Sequence, residues 1–309
     1  MSLHPVIPDL TVRAPAKINL YLGVGAPRPD GFHPLVTVYQ AIGLYDDLLV
    51  ASDPHWSVET RVADYISADA VPTDGDNLVD KAARRLADYH RRELTGAVVV
   101  DKSIPVAGGM AGGSADAAAA LVALDRVWRA HTSDEDLLAL AAELGSDVPF
   151  ALVGGAALGT GRGEIVEPIA DEATWWWVVV PSAAGGLSTP EVFRRFDAMF
   201  PDADPEPAPA GELLQALATG DPRQLAGALH NDLQPAALDL RPDLARLLAD
   251  GEAAGALRGM VSGSGPTCVF LCESGDHARE VAGGLMAAAR DVVLVANGPV
   301  AGAHVVETG

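Results

Sequence analysis

A run of very small residues at positions 105–116 is the strongest chemical signal in this sequence. It reads PVAGGMAGGSAD and continues into the helix-forming stretch AAAALVAL. A glycine-rich backbone can turn tightly and direct several N–H groups into one concavity, which attracts anions. The N-terminus of a helix adds unpaired N–H groups and a partial positive charge. A loop of this kind that runs directly into a helix is typical of a phosphate-binding site.

The loop matches neither of the two commonest nucleotide-binding signatures. A P-loop needs a lysine directly after its last glycine, whereas Gly113 is followed by Ser114. A dinucleotide fingerprint needs glycine at its third position, where the run that starts at Gly108 has Met110. Small residues also let a helix pack closely on its neighbours. The loop alone therefore leaves nucleotide binding and simple close packing both open.

Lys17, Asn19 and Asp147 are polar residues in apolar surroundings. Residues 10–24 are predicted to form two short strands, 10–13 and 18–24, around a break at residues 14–17 that contains Pro15. Lys17 and Asn19 would share one strand face. Asp147 lies in a turn directly before an apolar stretch, and a carboxylate carried into the interior needs a partner or a chemical role. An exposed edge strand that carries a solvated Lys17, and a helix capped by Asp147, are the alternative interpretations.

Three further segments combine turn formers with residues that can bind a ligand. Residues 27–34 (PRPDGFHP) form a predicted loop that presents an aromatic ring beside an imidazole, those of Phe32 and His33. Residues 188–193 (STPEVF) are predicted to open a helix with Thr189 and Phe193 in its first turns. A second glycine- and serine-rich turn, VSGSGPT, precedes a predicted strand near the C-terminus. Phe32 as a core anchor and His33 as a surface residue remain alternatives.

The order of predicted elements is mixed rather than regularly alternating, which predicts an α+β protein. The 309 residues are enough for two domains or one large one. A net charge of -21 disfavours nucleic acid and anionic membranes as partners. The two cysteines are expected to be buried thiols in a reducing compartment, and the N-terminus has no signal-peptide pattern. We therefore expect a cytoplasmic protein.

Three segments, in this order along the chain, resemble the three motifs of one family. Residues 15–20 (PAKINL) resemble the first motif of the GHMP kinases, which are the galactose, homoserine, mevalonate and phosphomevalonate kinases and their relatives. Residues 105–117 resemble the second motif, P-x-x-x-G-L-G-S-S-A, and residues 261–267 resemble the third. The resemblance covers residues 13–296, and it is the combination of motifs that makes it specific.

The resemblance implies a two-domain α+β fold with the active site in the cleft between the domains. The N-terminal domain is expected at residues 1–168, where it would be similar to the second domain of ribosomal protein S5 and would bind ATP and carry the catalytic residues. The C-terminal GHMP kinase domain is expected at residues 169–309 with a ferredoxin-like fold. This family is expected to act on small molecules, and the chain could be a monomer or a homodimer.

The resemblance also implies transfer of the ATP γ-phosphoryl group to an alcohol, with Mg²⁺ carried largely by ATP and no residue assigned to the metal. Asp147 would take or orient the proton of the acceptor hydroxyl. Lys17 would keep Asp147 ionised and stabilise the transferring group. The expected ATP-binding residues are those of the glycine-rich loop: Pro105, Val106, Ala107, Gly108, Gly109, Met110, Ala111, Gly112, Gly113, Ser114 and Ala115.

Within the family, three segments resemble one subgroup: residues 15–20 (PAKINL), 28–33 (RPDGFH) and 145–150 (GSDVPF). This subgroup is the kinases of isoprenoid precursor synthesis whose acceptor is a cytidine-diphosphate-linked polyol, phosphorylated at the 2-hydroxyl of its methylerythritol unit. Phe32 and Phe193 would stack on the cytosine, and His33 would read its edge through its ring or the adjacent backbone. Asn19 and Thr189 would contact methylerythritol or phosphate oxygens. A homoserine- or mevalonate-type kinase and a nucleotide-binding regulator without catalysis are the alternatives.

The glycine-rich loop departs from the family motif at three positions. Met110 replaces a leucine, which conserves volume. Ala111 replaces a glycine, which matters if the position needs a positive φ. Ala115 replaces the second serine and so removes a hydroxyl group. Ser114 is retained, and Asp116 is expected to cap the following helix rather than bind metal.

Overall fold

The computed structural model describes residues 8–67, 69, 71, 77–106, 108–182, 185–288 and 292–306. These residues form the strands β1 (Leu10–Val24), β2 (Leu35–Ala51), β3 (Trp56–Val62), β4 (Gly96–Lys102), β5 (Ala156–Thr160), β6 (Ile165–Ile169), β7 (Trp175–Val180), β8 (His230–Asn231), β9 (Arg258–Val261), β10 (Cys268–Cys272), β11 (Leu294–Gly298) and β12 (His304–Val306). They also form the helices α1 (Leu78–Tyr89), α2 (Gly112–Trp128), α3 (Asp134–Leu144), α4 (Val148–Val153), α5 (Thr189–Met199), α6 (Gly211–Thr219), α7 (Pro222–Ala228), α8 (Gln234–Leu240), α9 (Pro242–Ala253) and α10 (Gly275–Ala287).

The first sheet is built around the long antiparallel pair β1 and β2, with strand order β12-β1-β2-β4-β3. The hairpin of β5 and β6 extends it from β2, and β8 pairs with β1. The prediction of two short strands with a break at residues 14–17 is wrong, because β1 continues through these residues. The ladder accommodates the proline with a register shift between Pro15 and Ala16, and a second shift lies between Asn19 and Tyr21.

The second sheet is antiparallel, with strand order β11-β7-β10-β9. Its strand β7 carries three consecutive tryptophans, and the first and third of them point toward the first sheet. Trp177 Nε1 donates to Gln40 Oε1 of β2 at 2.8 Å. Gln40 Nε2 and Trp175 Nε1 both donate to the carboxylate of Asp171 in the β6–β7 connection. A buried hydrogen-bonded network therefore joins the two sheets.

Helix α2, which follows the glycine-rich loop, packs across β1 and β2, with α1, α3 and α4 beside it. Ala117, Ala118, Ala119 and Ala120 are fully buried. Their small side chains let the helix axis approach the sheet closely, so close packing and loop positioning are served by the same residues. Helices α9 and α10 pack on the second sheet, and α5 packs against α8.

The expectation of an α+β fold is confirmed by this mixed arrangement of two sheets and their helices. The boundary between residues 168 and 169 stays a prediction. It falls at the end of β6, and the short strands β8 and β12 return from beyond it to pair with β1. Within the part of the chain that the structure describes, no helix is long and apolar enough to cross a membrane.

Candidate active site

A cleft of about 880 Å³ receives side chains from both sheets and their helices. The residues that the sequence singled out come together in its walls, although they lie far apart along the chain. These are Lys17, Asn19, Phe32, His33, Pro105, Val106, Gly108, Gly109, Ala111, Gly112, Gly113, Ser114, Asp147, Thr189 and Phe193. The cleft therefore joins the glycine-rich loop at one end to an aromatic cluster at the other.

Lys17 lies on the central strand β1, with only 9% of its side chain exposed. The alternative of a solvated lysine on an edge strand is therefore wrong. Its Nζ donates to Asn19 Oδ1 at 2.7 Å, as the shared strand face predicts. Asn19 in turn donates through Nδ2 to Thr37 Oγ1 at 2.8 Å, and Thr37 donates to the carbonyl of Tyr21. This chain of hydrogen bonds fixes the position of the ammonium group.

Asp147 lies across the cleft from Lys17, and its Oδ2 is 3.8 Å from Lys17 Nζ. It occupies the N-cap position of α4, but its side chain makes no capping hydrogen bond. The alternative of a capping role is therefore wrong, because the carboxylate points to Lys17 instead. About a third of the side chain remains exposed, so a ligand in the cleft can reach it.

Tyr39 of β2 supports this pair and was not identified from the sequence. Its ring lies beneath Lys17, with Nζ 5.4 Å from the ring centroid, and it stacks on Phe150 with centroids 4.8 Å apart. Its hydroxyl donates to the carbonyl of Gly163 at 3.3 Å. Burial, and then the nearby carboxylate of Asp147, raise the pKa of Tyr39 well above its ordinary value. Tyr39 therefore keeps its proton and acts as a neutral hydrogen-bond donor.

The glycine-rich loop ends at Ala111, which has a left-handed backbone (φ 57°, ψ 33°) and is the N-cap of α2. The position where the family has glycine is thus one that favours glycine. Met110 and Ala115 are buried in the core rather than in the cleft wall, although the Met110 carbonyl accepts a hydrogen bond from the Lys17 backbone N–H at 3.2 Å. Ala107 lies outside the described residues.

The second glycine- and serine-rich turn packs directly behind the loop. Ser262 Oγ donates to the carbonyl of Gly109 at 3.1 Å, and the Thr267 N–H donates to the carbonyl of Gly108 at 3.2 Å. Gly109 has a φ of 76°, and a Cβ atom there would lie 2.2 Å from the Ser262 carbonyl oxygen. The third family motif therefore shapes the second one through direct backbone contact.

A buried ionic cluster lies beside the start of α2. Lys102 Nζ donates to Asp46 Oδ2 at 2.6 Å and to Asp116 Oδ2 at 2.5 Å, and Asp46 also accepts from two backbone N–H groups. The expectation that Asp116 caps the helix is wrong. It lies inside α2, whose N-cap is Ala111, and its side chain turns into the core toward Lys102.

One cation balances only one of the two carboxylates in this cluster. Burial, and then the Asp46 carboxylate, raise the pKa of Asp116 to about 8 against the opposing effect of Lys102. Burial by itself would lower the pKa of Lys102, but the two carboxylates outweigh it and raise this pKa. Asp116 Oδ1 is buried without a hydrogen-bond partner. The cluster therefore holds an extra proton at neutral pH.

The other end of the cleft is aromatic. Phe32 is half exposed, with the guanidinium carbon of Arg162 4.8 Å from its ring centroid, so it is not a core anchor. His33 is buried rather than on the surface, and its ring lies 4.8 Å from that of Phe193. Thr189 Oγ1 lies 2.8 Å from the Ser264 hydroxyl oxygen. His33 and Phe193 are thus in contact at this end, and Asn19 and Thr189 line the same cleft.

Sequence reasoning missed the residues that act through tertiary contacts. Tyr39, Lys102 and Asp46 carry no motif signal, since each belongs to a strand whose partner strands cannot be inferred locally. Asp197 pairs with His33 at 2.8 Å from a helix 164 positions later. A polar residue at a position predicted to be buried is the one signal that could have pointed to Lys102, because such residues need partners.

Comparisons with known proteins identify the family. Residues 77–155 match the family described as GHMP kinases N terminal domain, and residues 213–289 match GHMP kinases C terminal. The chain belongs to the GHMP kinase family and is an ATP-dependent kinase.

The relatives within this family include several that carry one name, 4-diphosphocytidyl-2-C-methyl-D-erythritol kinase. The protein of that name from Nocardioides sp. is 68% identical over 96% of this chain and 99% of its own length. The one from Nocardia farcinica is 55% identical over 98% of each chain.

Two solved structures are similar to the chain over most of its length. A 4-(cytidine 5'-diphospho)-2C-methyl-D-erythritol kinase is similar with a TM-score of 0.77 at 31% identity, covering 93% of this chain and 98% of that one. The homoserine kinase from Cytophaga hutchinsonii has a TM-score of 0.72 at 19% identity, covering 99% and 100%, and shows a shared fold.

Proposed function

We propose that this enzyme transfers the γ-phosphoryl group of ATP to the 2-hydroxyl of 4-diphosphocytidyl-2-C-methyl-D-erythritol, a step in isoprenoid precursor synthesis. The observation that carries the proposal is the position of the Lys17–Asp147 pair. It lies in one cleft with a phosphate-type loop and an aromatic cluster that suits a nucleobase. Relatives at 49–68% identity over nearly the whole chain carry the name of this kinase.

Asp147 acts on the acceptor hydroxyl in this proposal. Its partly exposed carboxylate accepts the hydroxyl proton as the oxygen attacks the γ-phosphorus. Lys17 lies within 3.8 Å, and its ammonium group stabilises both the carboxylate and the negative charge on the transferring group. The Lys17–Asn19 hydrogen bond and the Tyr39 ring hold the ammonium in place, so little reorganisation is needed.

The glycine-rich loop holds the phosphates of ATP. Gly112, Gly113 and Ser114 form the first turn of α2, where backbone N–H groups are free of intrahelical partners and the helix dipole favours anions. Mg²⁺ is a hard cation that prefers oxygen ligands and keeps several waters. Among the described residues no cluster of three His, Cys, Asp or Glu side chains could hold it. We infer that ATP carries the ion, and the Ser114 hydroxyl and the Asp147 carboxylate are oxygen donors in the cleft wall.

The aromatic end takes the cytidine diphosphate part of the acceptor. Phe32 offers an exposed ring face for stacking, and Arg162 beside it carries a positive charge. Asn19, beside Lys17, and Thr189, beside Ser264, line the same cleft and are available to the rest of the acceptor. We also infer that the enzyme is cytoplasmic and acts as a monomer or homodimer, with a domain boundary near residue 169.

An acceptor panel tests the proposal. The purified enzyme is assayed with Mg²⁺–ATP and the cytidyl substrate, homoserine or mevalonate, with product position determined by ³¹P NMR. We expect turnover of the cytidyl substrate with a kcat/KM at least 10³-fold above the others, because a site built for a base leaves buried polar groups unpaired when the base is missing (the known range is about 10⁴–10⁵). Equal or better turnover of another acceptor would refute the assignment.

The role of Asp147 is tested separately. Asp147→Asn removes the proton acceptor and should lower kcat on the order of 10²–10⁴-fold, while the affinity for a non-hydrolysable ATP analogue changes little. Asp276→Asn, which alters an exposed carboxylate far from the cleft, is the matched control. Full activity in Asp147→Asn would exclude its role as base. Loss of ATP binding in the same variant would indicate a structural role instead.

A further inference from the structure

We propose that Asp197 is a positioning residue that fixes His33 and thereby sets the width of the cytidine end of the cleft. This inference rests on the proposed function. It concerns a residue of α5 that belongs to none of the three family motifs and that sequence reasoning did not single out. Its side chain is about one-third exposed and lines the cleft beside His33 and Phe193.

The contacts of His33 show that its ring is held on two sides. Nε2 lies 2.8 Å from Asp197 Oδ1, and the ring lies 4.8 Å from that of Phe193, with an interplanar angle of 33°. The Phe196 ring contacts it edge-on at 6.3 Å. A carboxylate only accepts hydrogen bonds, so Nε2 carries the proton and donates it to Asp197. This hydrogen bond therefore fixes both the position of the imidazole and its tautomer, with a proton on Nε2.

The sequence spacing on α5 explains this arrangement. Phe193 and Asp197 are four residues apart and therefore lie on the same helix face, one turn after the other. One presents a ring to the face of His33 and the other presents an acceptor to its edge. One face of α5 therefore holds His33 of the β1–β2 loop by a ring contact and a hydrogen bond.

These contacts of His33 connect the β1–β2 loop with α5 at the aromatic end of the cleft. His33 directly follows Phe32, the exposed ring available to the base. The tip of their loop is braced internally, since Asp30 accepts from the Phe32 N–H at 3.0 Å and pairs with Arg28. The His33–Asp197 bond attaches the braced loop to α5. The separation between Phe32 and Phe193, and so the space left for a base, depends on this attachment.

The experiment uses steady-state kinetics of the full-length enzyme with Mg²⁺–ATP and the cytidyl substrate. Asp197→Ala should raise the KM for the cytidyl substrate about tenfold, the effect of losing one hydrogen bond to a charged group. The KM for ATP and kcat should stay within about twofold of the wild-type values, because the substitution does not touch the glycine-rich loop or the Lys17–Asp147 pair. Asp197→Asn keeps a carbonyl acceptor and should restore most of the affinity.

Two further variants separate positioning from general stability. Asp239 of α8 pairs with Arg195 of α5, and neither residue lines the cleft. Asp239→Ala should therefore leave kcat and the KM values for both substrates unchanged. His33→Phe keeps the ring contact with Phe193 but removes the hydrogen bond. In that background Asp197→Ala should add no further increase in KM, since the interaction it breaks is already gone. The ¹⁵N spectrum of His33 should show a protonated Nε2 in the wild type and altered exchange in Asp197→Ala.

The outcomes distinguish this inference from the function on which it rests. A wild type that does not phosphorylate the cytidyl substrate refutes the proposed function, and this inference with it. A wild type that does so, with an unchanged KM in Asp197→Ala, refutes this inference alone. A parallel loss of kcat, ATP affinity and thermal stability in Asp197→Ala, without rescue by asparagine, would also refute it, because that pattern indicates a purely structural role.

Discussion

Lys17 and Asp147 differ in solvent exposure, and this difference suits them to different roles at the reacting centre. Lys17 is almost buried and is held by Asn19 and the ring of Tyr39, whereas Asp147 is partly open to the cleft. A fixed cation beside an accessible carboxylate suits phosphoryl transfer, in which charge must be stabilised at a defined point while the acceptor enters and leaves. The separation of 3.8 Å leaves room for an acceptor oxygen to approach both groups.

Ala111 shows how one residue can carry local strain at a binding loop. Its φ of 57° is in the left-handed region, which costs a residue with a Cβ roughly 1–2 kcal/mol. The family motif has glycine at this position, which adopts a left-handed backbone without this cost. The loop must therefore be held by contacts elsewhere, which the Ser262 and Thr267 hydrogen bonds supply.

We predict that Ala111→Gly stabilises the protein. Relief of the left-handed strain outweighs the extra entropy of glycine in the unfolded chain, which leaves a net gain of about 0.5–1 kcal/mol. Urea unfolding should show a higher midpoint at an unchanged slope. A lower midpoint for Ala111→Gly would show that the alanine is not strained.

We predict that the Lys102 cluster makes stability depend on pH through Asp116. The pKa of Asp116 is raised from 3.8 to about 8 in the folded protein, so the folded state binds this proton more tightly than the unfolded state. The stabilisation is fully present below about pH 4 and is lost as the pH rises through about 8.

Asp116→Asn tests this dependence, because the amide keeps an acceptor for Lys102 but does not titrate. The free energy of unfolding is measured by urea titration between pH 5 and 9. In the wild type it should fall with pH more steeply than in the variant, by on the order of 1 kcal/mol per pH unit near neutrality. Identical pH dependence in the two proteins would contradict a raised pKa at this residue.

At the scale of elements, the phosphate-type loop depends on a neighbour that comes about 150 positions later. Ser262, the first serine of the second turn, donates to the Gly109 carbonyl, and the missing side chain of Gly109 leaves room for the Ser262 backbone. The loop and the turn are therefore one unit in space. This explains why the two motifs occur together, which neither sequence pattern explains alone.

We predict that Gly109→Ala damages ATP binding. Its Cβ would lie 2.2 Å from the Ser262 carbonyl oxygen, and its φ of 76° is unfavourable for alanine. The loop must move, so the KM for ATP should rise at least tenfold while the KM for the acceptor changes less. Gly227→Ala is the matched control, since no atom lies within 4 Å of a Cβ there. Unchanged ATP kinetics in Gly109→Ala would show that the loop adapts without loss.

Much of the local structure was accessible from the sequence. The glycine-rich loop that runs into a helix and the shared face of Lys17 and Asn19 follow from short-range rules, and both are present. The continuity of β1 was missed, because a bulge that absorbs Pro15 depends on its partner strand. Asp116 was assigned to a cap because the buried Lys102 that attracts it lies on a separate element. Pairings across elements were beyond reach for the same reason.

At the scale of the whole molecule, the two sheets must keep a fixed relation because each supplies one wall of the cleft. Lys17 and the loop belong to the first sheet and its helices, while Thr189, Phe193 and the second turn belong to the other side. The network of Gln40, Trp177 and Asp171 crosses between the sheets in the interior. Burial raises the pKa of Asp171, which its hydrogen bonds partly oppose. A fully bonded buried network favours one arrangement of the sheets over others.

We predict that Trp177→Phe is far more destabilising than Trp176→Phe, although each variant replaces one tryptophan of β7 by phenylalanine. Trp177 is fully buried, and its loss leaves Gln40 Oε1 without a donor in a position with no solvent access, which costs about 1–3 kcal/mol beyond the packing change. Trp176 points to the opposite face of β7 and packs partly exposed against Gly275. Urea unfolding measures both variants against the wild type. If the network also fixes the sheets, Trp177→Phe should raise the KM values for both substrates together, since the two walls of the cleft shift as units. Equal stability losses in the two variants would show that the indole hydrogen bond does not connect the sheets energetically.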